Sequence, residues 1–134
     1  HVARDPLDVA WSCWRARFDA DSAWSGSPEG IACYLGHFER AMATWHELHP
    51  GRIVRVAYED LVRSPGETIP ALLAACGLPD DRATRQPQLS TRPVSTISYA
   101  QVREPIHARR VGAARDFPRA TARLAAALER EGLR

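Results

Sequence analysis

The sequence contains no lysine, and its 18 basic residues other than histidine are all arginine. With 16 acidic residues, the formal net charge is only +2, which argues against a nucleic-acid-binding protein. Cys13, Cys33 and Cys76 form an odd, scattered set without metal-ligand spacing, so neither a metal site nor a disulfide scaffold is expected. No signal peptide and no apolar run of membrane-spanning length is present. We therefore expect a cytoplasmic protein that is not bound to membranes.

A glycine-rich loop ending in Lys or Arg and then Ser or Thr is also missing, although such a loop is typical of phosphate-binding proteins. The first residue is His rather than Met, and the chain starts within a predicted strand. A length of 134 residues with 45% hydrophobic residues is sufficient for one hydrophobic core. We expect residues 1–134 to be the C-terminal portion of a single domain in a longer protein.

The opening segment, HVARDPLDVAWS, is typical of a strand that runs directly into a helix. Asp5 is a favourable N-cap, and Pro6 fits the first helical position, where its missing N–H is not needed. Asp8 lies where a capping-box acid would reach back to the cap. Arg4 would then lie at the strand end beside free backbone N–H groups, with the Ser12 hydroxyl two turns further on. This arrangement suits a phosphate, although a purely structural corner is an equally common use of such residues.

Turn residues divide the rest of the chain into predicted helices and one strand. Apolar residues recur every three or four positions between 28 and 48, which predicts an amphipathic helix. Residues 52–58 are rich in β-branched side chains and predict a strand, and a capped helix follows from Ser64 to Gly77. Residues 80–104 lack periodicity, and residues 117–131 predict an alanine-rich helix. The order of strand, helix, helix, strand, helix indicates an α/β protein containing the second half of a parallel sheet.

The opening segment closely resembles a signature of the sulfotransferases that use 3'-phosphoadenylyl sulfate (PAPS). In that family an Arg at the strand end and a Ser eight residues later hold the 3'-phosphate, which implies this role for Arg4 and Ser12. The stretch VAYEDL at 56–61 resembles the family's strand end, whose Tyr lies against adenine. That resemblance implies adenine contact for Tyr58, whereas an ordinary core Tyr is the structural alternative. The helix ending in Gly-Leu-Pro at 77–79 resembles the following family helix.

Residues 92–106, RPVSTISYAQVREPI, resemble a block of the bacterial sulfotransferases related to the protein-tyrosine type. Such proteins often carry tetratricopeptide repeats upstream, and the resemblance extends this expectation to the present protein. The Ser three residues before Gln-Val contacts the cofactor in the family, which implies this role for Ser98. A solvated loop serine is the alternative.

The sequence departs from the family pattern after residue 106. A basic residue is absent at Ala108, and a basic residue followed by Trp is absent at Ala113 and Ala114. Arg109 and Arg110 are shifted by one or two positions and are candidates to contact a cofactor phosphate. An exposed basic pair is an equally good interpretation of them. The family's phosphosulfate loop and its catalytic acid or base lie upstream of the Arg4 segment, so no catalytic residue is assigned.

The resemblance implies the C-terminal part of a P-loop-kinase-like parallel sheet flanked by helices. It also implies transfer of a sulfuryl group from PAPS to an unidentified hydroxyl or amine acceptor, without a metal. Two alternatives remain: a catalytically degenerate nucleotide-binding module, and a fragment of another P-loop-kinase-like transferase. Trp11, Trp14 and Trp24 are either core residues or the lining of an acceptor cleft.

Overall fold

A computed structural model describes residues 1–16, 18, 22–93 and 101–133. Its helices and strands are β1 (Val2–Ala3), α1 (Pro6–Ala16), α2 (Pro28–Leu48), β2 (Val56–Ala57), α3 (Tyr58–Arg63), α4 (Pro65–Ala75) and α5 (Pro118–Arg130). Short 3₁₀ turns are Ala23–Gly26, Arg82–Arg85, Pro87–Leu89, Gln101–Arg103 and Ala113–Asp116. The chain forms two compact units, the first of His1, residues 3–53 and 110–134, and the second of Val2 and residues 54–109.

Helix α2 begins and ends where the sequence predicts. The Ser27 hydroxyl accepts a hydrogen bond from the Gly30 N–H at 3.0 Å, so Ser27 is a true N-cap. Ile31 is completely buried on the inner face of the helix. The outer part of the predicted apolar face remains exposed to solvent, and we call it the α2 apolar stripe. Its members are Tyr34, Phe38, Trp45 and Leu48.

The core of the first unit lies between α1, α2 and α5. The six buried residues that form it are Ala10, Ile31, Ala32, Leu124, Ala127 and Leu128. Small side chains on all three helices allow the backbones to approach closely, and the larger Ile31 and Leu124 fill the remaining space. Burying one such large aliphatic side chain contributes about 1.5–3 kcal/mol. Helix α1, which follows Arg4, is therefore anchored on both neighbouring helices.

The second unit contains β2, α3 and α4, and here the predicted strand over 52–58 is largely wrong. Only Val56–Ala57 forms a strand, and Tyr58 begins α3 instead of ending a strand. Glu59 and Asp60 follow in the first turn of α3, where carboxylates favour a helix N-terminus. Val2 groups with this unit, and β1 and β2 form a two-stranded parallel sheet. No third strand joins them among the described residues, and Val2 is 57% exposed.

Helix α4 runs through Pro70 from Pro65 to Ala75. Its Ser64 cap makes no side-chain hydrogen bond to the helix, contrary to the predicted capping. Its end does follow the sequence, because Gly77 adopts a φ of +72°. The Leu78 N–H donates to the Leu73 carbonyl at 2.8 Å, and the Gly77 N–H donates to the Ala74 carbonyl at 3.0 Å. These two bonds close the helix as a Schellman motif.

The described residues thus form a helix-rich α/β structure with one small parallel sheet.

In the connection that follows α4, the Arg103 guanidinium donates hydrogen bonds to the backbone carbonyls of Ser90 and Arg92. These bonds link two parts of the connection that lie apart in sequence. None of the helices in the described ranges combines the length and the apolar character needed to cross a bilayer.

Candidate functional site

Arg4 lies directly after β1 and before the first turn of α1. One of its guanidinium nitrogens donates a hydrogen bond to the Arg110 carbonyl at 2.7 Å. The same nitrogen lies 3.7 Å from Oδ2 of Asp8. The Arg4 side chain retains 20% exposure, so it is held in place but still reaches the surface. An arginine fixed in this way is suited to receive an anion from solvent.

Asp8 holds the other side of this site together from a buried position, with only 2% exposure. Its Oδ2 accepts the Gly112 N–H at 2.6 Å, and its Oδ1 accepts the Ala114 N–H at 2.9 Å. The sequence predicts a capping-box acid that reaches back to its own helix, and the structure shows two further, distant partners for this carboxylate. The two loop amides compensate the buried negative charge of Asp8, which would otherwise be costly to remove from water.

Asp5 caps α1 as predicted, and it also binds the loop. Its Oδ1 accepts the N–H groups of Leu7 at 2.8 Å and Asp8 at 3.3 Å. Its Oδ2 forms an ion pair with Arg115 at 3.0 Å. The backbone N–H groups of Leu7 and Asp8 are therefore already bound, and the expectation that they are free for a phosphate is wrong.

The residues that follow the second unit, which we call the 110–115 loop, are thus joined to the start of α1 by four contacts. Arg110, Gly112, Ala114 and Arg115 each contribute one of them. Ser12 lies on α1 one helical turn after Asp8 and is exposed. The structure therefore places three of the predicted cofactor residues, Arg4, Ser12 and Arg110, in the first unit.

The other predicted residues lie elsewhere. Tyr58 is half-buried at the start of α3 in the second unit. Arg109 belongs to the same unit and pairs with Glu104, whose carboxylate also contacts His107 Nε2 at 3.1 Å. A cleft of about 260 Å³ opens beside β2, and its walls come from β2, α3 and α4. Its lining residues include Ala57 and Asp60, which flank the Tyr58-Glu59 pair in sequence. Ser98 lies outside the described residues.

The three tryptophans near α1 have different environments. Trp14 lines an open cleft of about 380 Å³ together with Phe18, Ser25 and Gly26. Trp24 stacks on Tyr34 with ring centroids 4.2 Å apart. Trp11 packs against Phe117 at 5.4 Å. Trp14 thus lines a cleft, whereas Trp11 and Trp24 pack against other aromatic rings.

Burial raises the pKa of the Cys13 thiol, and the nearby positive charge of Arg4 opposes this shift in part. Cys13 is thus a packed neutral thiol and not an activated nucleophile. Within the described residues, no group of three or more His, Cys, Asp or Glu side chains has the arrangement of a metal site.

The sequence matches the model of the sulfotransferase family over residues 1–82. It is also 36% identical over 111 residues, or 80% of its length, to an uncharacterized protein of Aquifex aeolicus. The aligned part spans only 14% of that much longer protein. No solved structure matches the chain. Since the family match covers well over half of the residues, the chain belongs to the sulfotransferase family.

Sequence reasoning missed two features of this site. Arg115 pairs with Asp5 next to Arg4, although nothing in its local sequence distinguishes it from other exposed arginines. The partners of Asp8 were missed because they lie 104 and 106 positions away. The local sequence offers one sign that Asp8 is buried, because Asp8 lies on the inner side of α1, close to the core residue Ala10.

Proposed function

We propose that this protein is a sulfotransferase that transfers a sulfuryl group from PAPS to a hydroxyl or amine acceptor. The observation that carries the proposal is the fixed position of Arg4 at the end of β1, with Ser12 on the helix that follows. Both residues lie within the part of the chain that matches the sulfotransferase family. This membership also favours the proposal over a fragment of another P-loop-kinase-like transferase.

The residues present fit the 3'-phosphate of such a donor. Arg4 supplies a guanidinium whose orientation is set by the Arg110 carbonyl and by Asp8, and Ser12 supplies an exposed hydroxyl. A preoriented arginine makes stronger phosphate contacts than a mobile one, because less side-chain entropy is lost on binding. When bound, PAPS would supply the activated sulfuryl group. The role of Arg4 and Ser12 is to bind and orient the nucleotide end.

We also propose the nucleotide contacts that the family resemblance implies for other residues. Tyr58 would pack against adenine, next to the cleft that Ala57 and Asp60 line. Ser98 and either Arg109 or Arg110 would close over the nucleotide. The catalytic base and the phosphosulfate loop are expected upstream of residue 1, as are tetratricopeptide repeats of the protein-tyrosine-related bacterial type. We also propose a cytoplasmic location, where PAPS would be available to the protein.

The proposal is tested by comparing nucleotides that differ only in the 3'-phosphate. In the full-length protein, adenosine 3',5'-bisphosphate should bind much more tightly than AMP by calorimetry. Arg4→Ala should weaken the bisphosphate about ten- to a hundredfold, since a charge-assisted contact contributes about 1.5–3 kcal/mol. AMP binding should hardly change. Equal losses for both nucleotides would show that Arg4 is only structural.

A second candidate, a degenerate nucleotide-binding module, is favoured by the alanines of the 110–115 loop. Ala114 is 1% exposed, and therefore it offers no side chain to a ligand where the family carries Trp. Transfer of labelled sulfate from PAPS by the full-length protein, measured with phenolic, sugar and amine acceptors, separates the two functions. Tight bisphosphate binding without any transfer would support the module.

A further inference from the structure

The buried carboxylate of Asp8 connects the start of α1 to the 110–115 loop within the first unit. Its two oxygens bind separate partners, Gly112 through Oδ2 and Ala114 through Oδ1. The Arg4 guanidinium lies 3.7 Å from Oδ2, which is close enough for charge attraction but too long for a hydrogen bond. Asp8 is thus a fixed negative charge next to Arg4 and an anchor for the 110–115 loop.

The position of Arg4 also depends on the loop. Its hydrogen bond goes to the Arg110 carbonyl, and this carbonyl lies two residues before the anchored Gly112 amide. A shift of the loop would move the Arg110 carbonyl and the Arg4 guanidinium with it. Asp8 therefore acts on Arg4 twice, directly through its charge and indirectly through the loop.

We propose that Asp8 is a positioning residue that holds Arg4 in the orientation required to bind the 3'-phosphate. This inference rests on the proposed function of Arg4. A carboxylate is required, because each of its oxygens accepts one amide and its charge attracts the guanidinium. An amide side chain at position 8 would offer one acceptor, and its NH₂ group would face a backbone N–H.

The test uses Asp8→Asn in the full-length protein, with Asp116→Asn as the matched control. Asp116 is an exposed carboxylate close to the same loop. The readout is the affinity ratio of adenosine 3',5'-bisphosphate to AMP, measured by calorimetry below the melting temperature of each variant. We expect Asp8→Asn to lower this ratio by about fivefold or more, the effect of a loss of about 1 kcal/mol. Asp116→Asn should leave the ratio unchanged.

A purely structural role would weaken both nucleotides together and keep the ratio constant, and that result would overturn the inference. The double variant Arg4→Ala/Asp8→Asn provides the second measurement. If Asp8 acts through Arg4, the affinity ratio of the bisphosphate to AMP should be no lower in the double variant than in Arg4→Ala alone. Additive losses would show that Asp8 acts independently of Arg4.

Gly112→Ala keeps the inference testable if Asp8→Asn does not fold. Gly112 has a φ of +72°, so an L-alanine strains the loop without changing the carboxylate. This variant should also lower the ratio, and an unchanged ratio would contradict the proposed route through the loop. Failure of the proposed function itself looks different, because the wild-type protein would then bind the bisphosphate no better than AMP.

Discussion

Glu104 holds Arg109 in an ion pair within the second unit, and the same carboxylate oxygen contacts the imidazole of His107. Arg109 is 71% exposed and Glu104 is 48% exposed. Such exposed pairs contribute only about 0–1 kcal/mol, because water and salt screen them. A cofactor phosphate can therefore compete with Glu104 for the guanidinium. The phosphate contact that is predicted for Arg109 can therefore be tested by substitution.

We expect the double variant Arg109→Ala/Arg110→Ala to weaken cofactor binding in the full-length protein. Glu104→Gln should strengthen it, because Arg109 is then released from its carboxylate partner. The measurement is the dissociation constant of adenosine 3',5'-bisphosphate at two salt concentrations, since a phosphate contact weakens as salt increases.

Ala113→Arg provides the opposite test for the same segment. If neither Arg109 nor Arg110 contacts the cofactor, their removal should have almost no effect and Ala113→Arg should strengthen binding. No response to any of these substitutions would exclude residues 109–113 from the site.

Asp5 allows the helix cap and the loop contact to be separated. Asp5→Ala should destabilise the protein by about 0.5–2 kcal/mol, because Leu7 and Asp8 lose their N-cap acceptor. Asp5→Asn keeps the cap but weakens the pairing with Arg115, so its destabilisation should be clearly smaller. Denaturant unfolding of both variants measures the difference. Equal losses would mean that the charge of Asp5, and not its cap, carries the stabilisation.

The three cysteines should differ in reactivity. Burial raises the pKa of Cys13, so less of it is thiolate at mildly alkaline pH, whereas Cys33 and Cys76 are exposed. Iodoacetamide at pH 8 should modify Cys33 and Cys76 first, as followed by peptide mass spectrometry. Arg4→Ala removes the charge that lowers the pKa of Cys13, so it should slow Cys13 labelling further in protein that remains folded. Early labelling of Cys13 in the wild-type protein would contradict its packing.

Residues 1–134 expressed alone should be poorly soluble or partly disordered. The α2 apolar stripe exposes four large side chains, with Leu48 66% and Trp45 53% accessible. The two-stranded sheet also leaves strand edges without partners among the described residues, and such edges promote association. Size-exclusion chromatography and a thermal melt measure the outcome. A monomer with a sharp cooperative melt would refute this prediction.

Local signals predicted much of the fold. Ser27, Pro28 and the apolar period place α2 within a residue of its observed start, and Asp5 and Pro6 do the same for α1. Gly77 and Gly132, with positive φ values, follow α4 and α5 as the sequence indicates. These features are predictable because caps and helix ends depend on interactions within a few residues.

The parts that were not predicted depend on distant partners. Residues 52–58 have strand composition, but only Val56–Ala57 forms a strand. Strand propensity is stabilised by neighbouring strands, and only β1 pairs with β2 among the described residues. Asp8 likewise looks like a local capping acid, and only the folded chain brings Gly112 and Ala114 to it. Composition and spacing along the chain do not identify such distant partners.

The left-handed backbone at Gly112 gives the 110–115 loop a chiral preference. An added Cβ at this position meets no atom within 4 Å, so only backbone strain opposes an L-residue, at about 1–2 kcal/mol. The mirror-image residue has no such penalty. A D-alanine introduced at position 112 by semisynthesis should therefore preserve the amide that Asp8 binds, whereas L-alanine should disturb it. The backbone conformation at position 112 should therefore decide by itself which enantiomer of alanine the loop accepts.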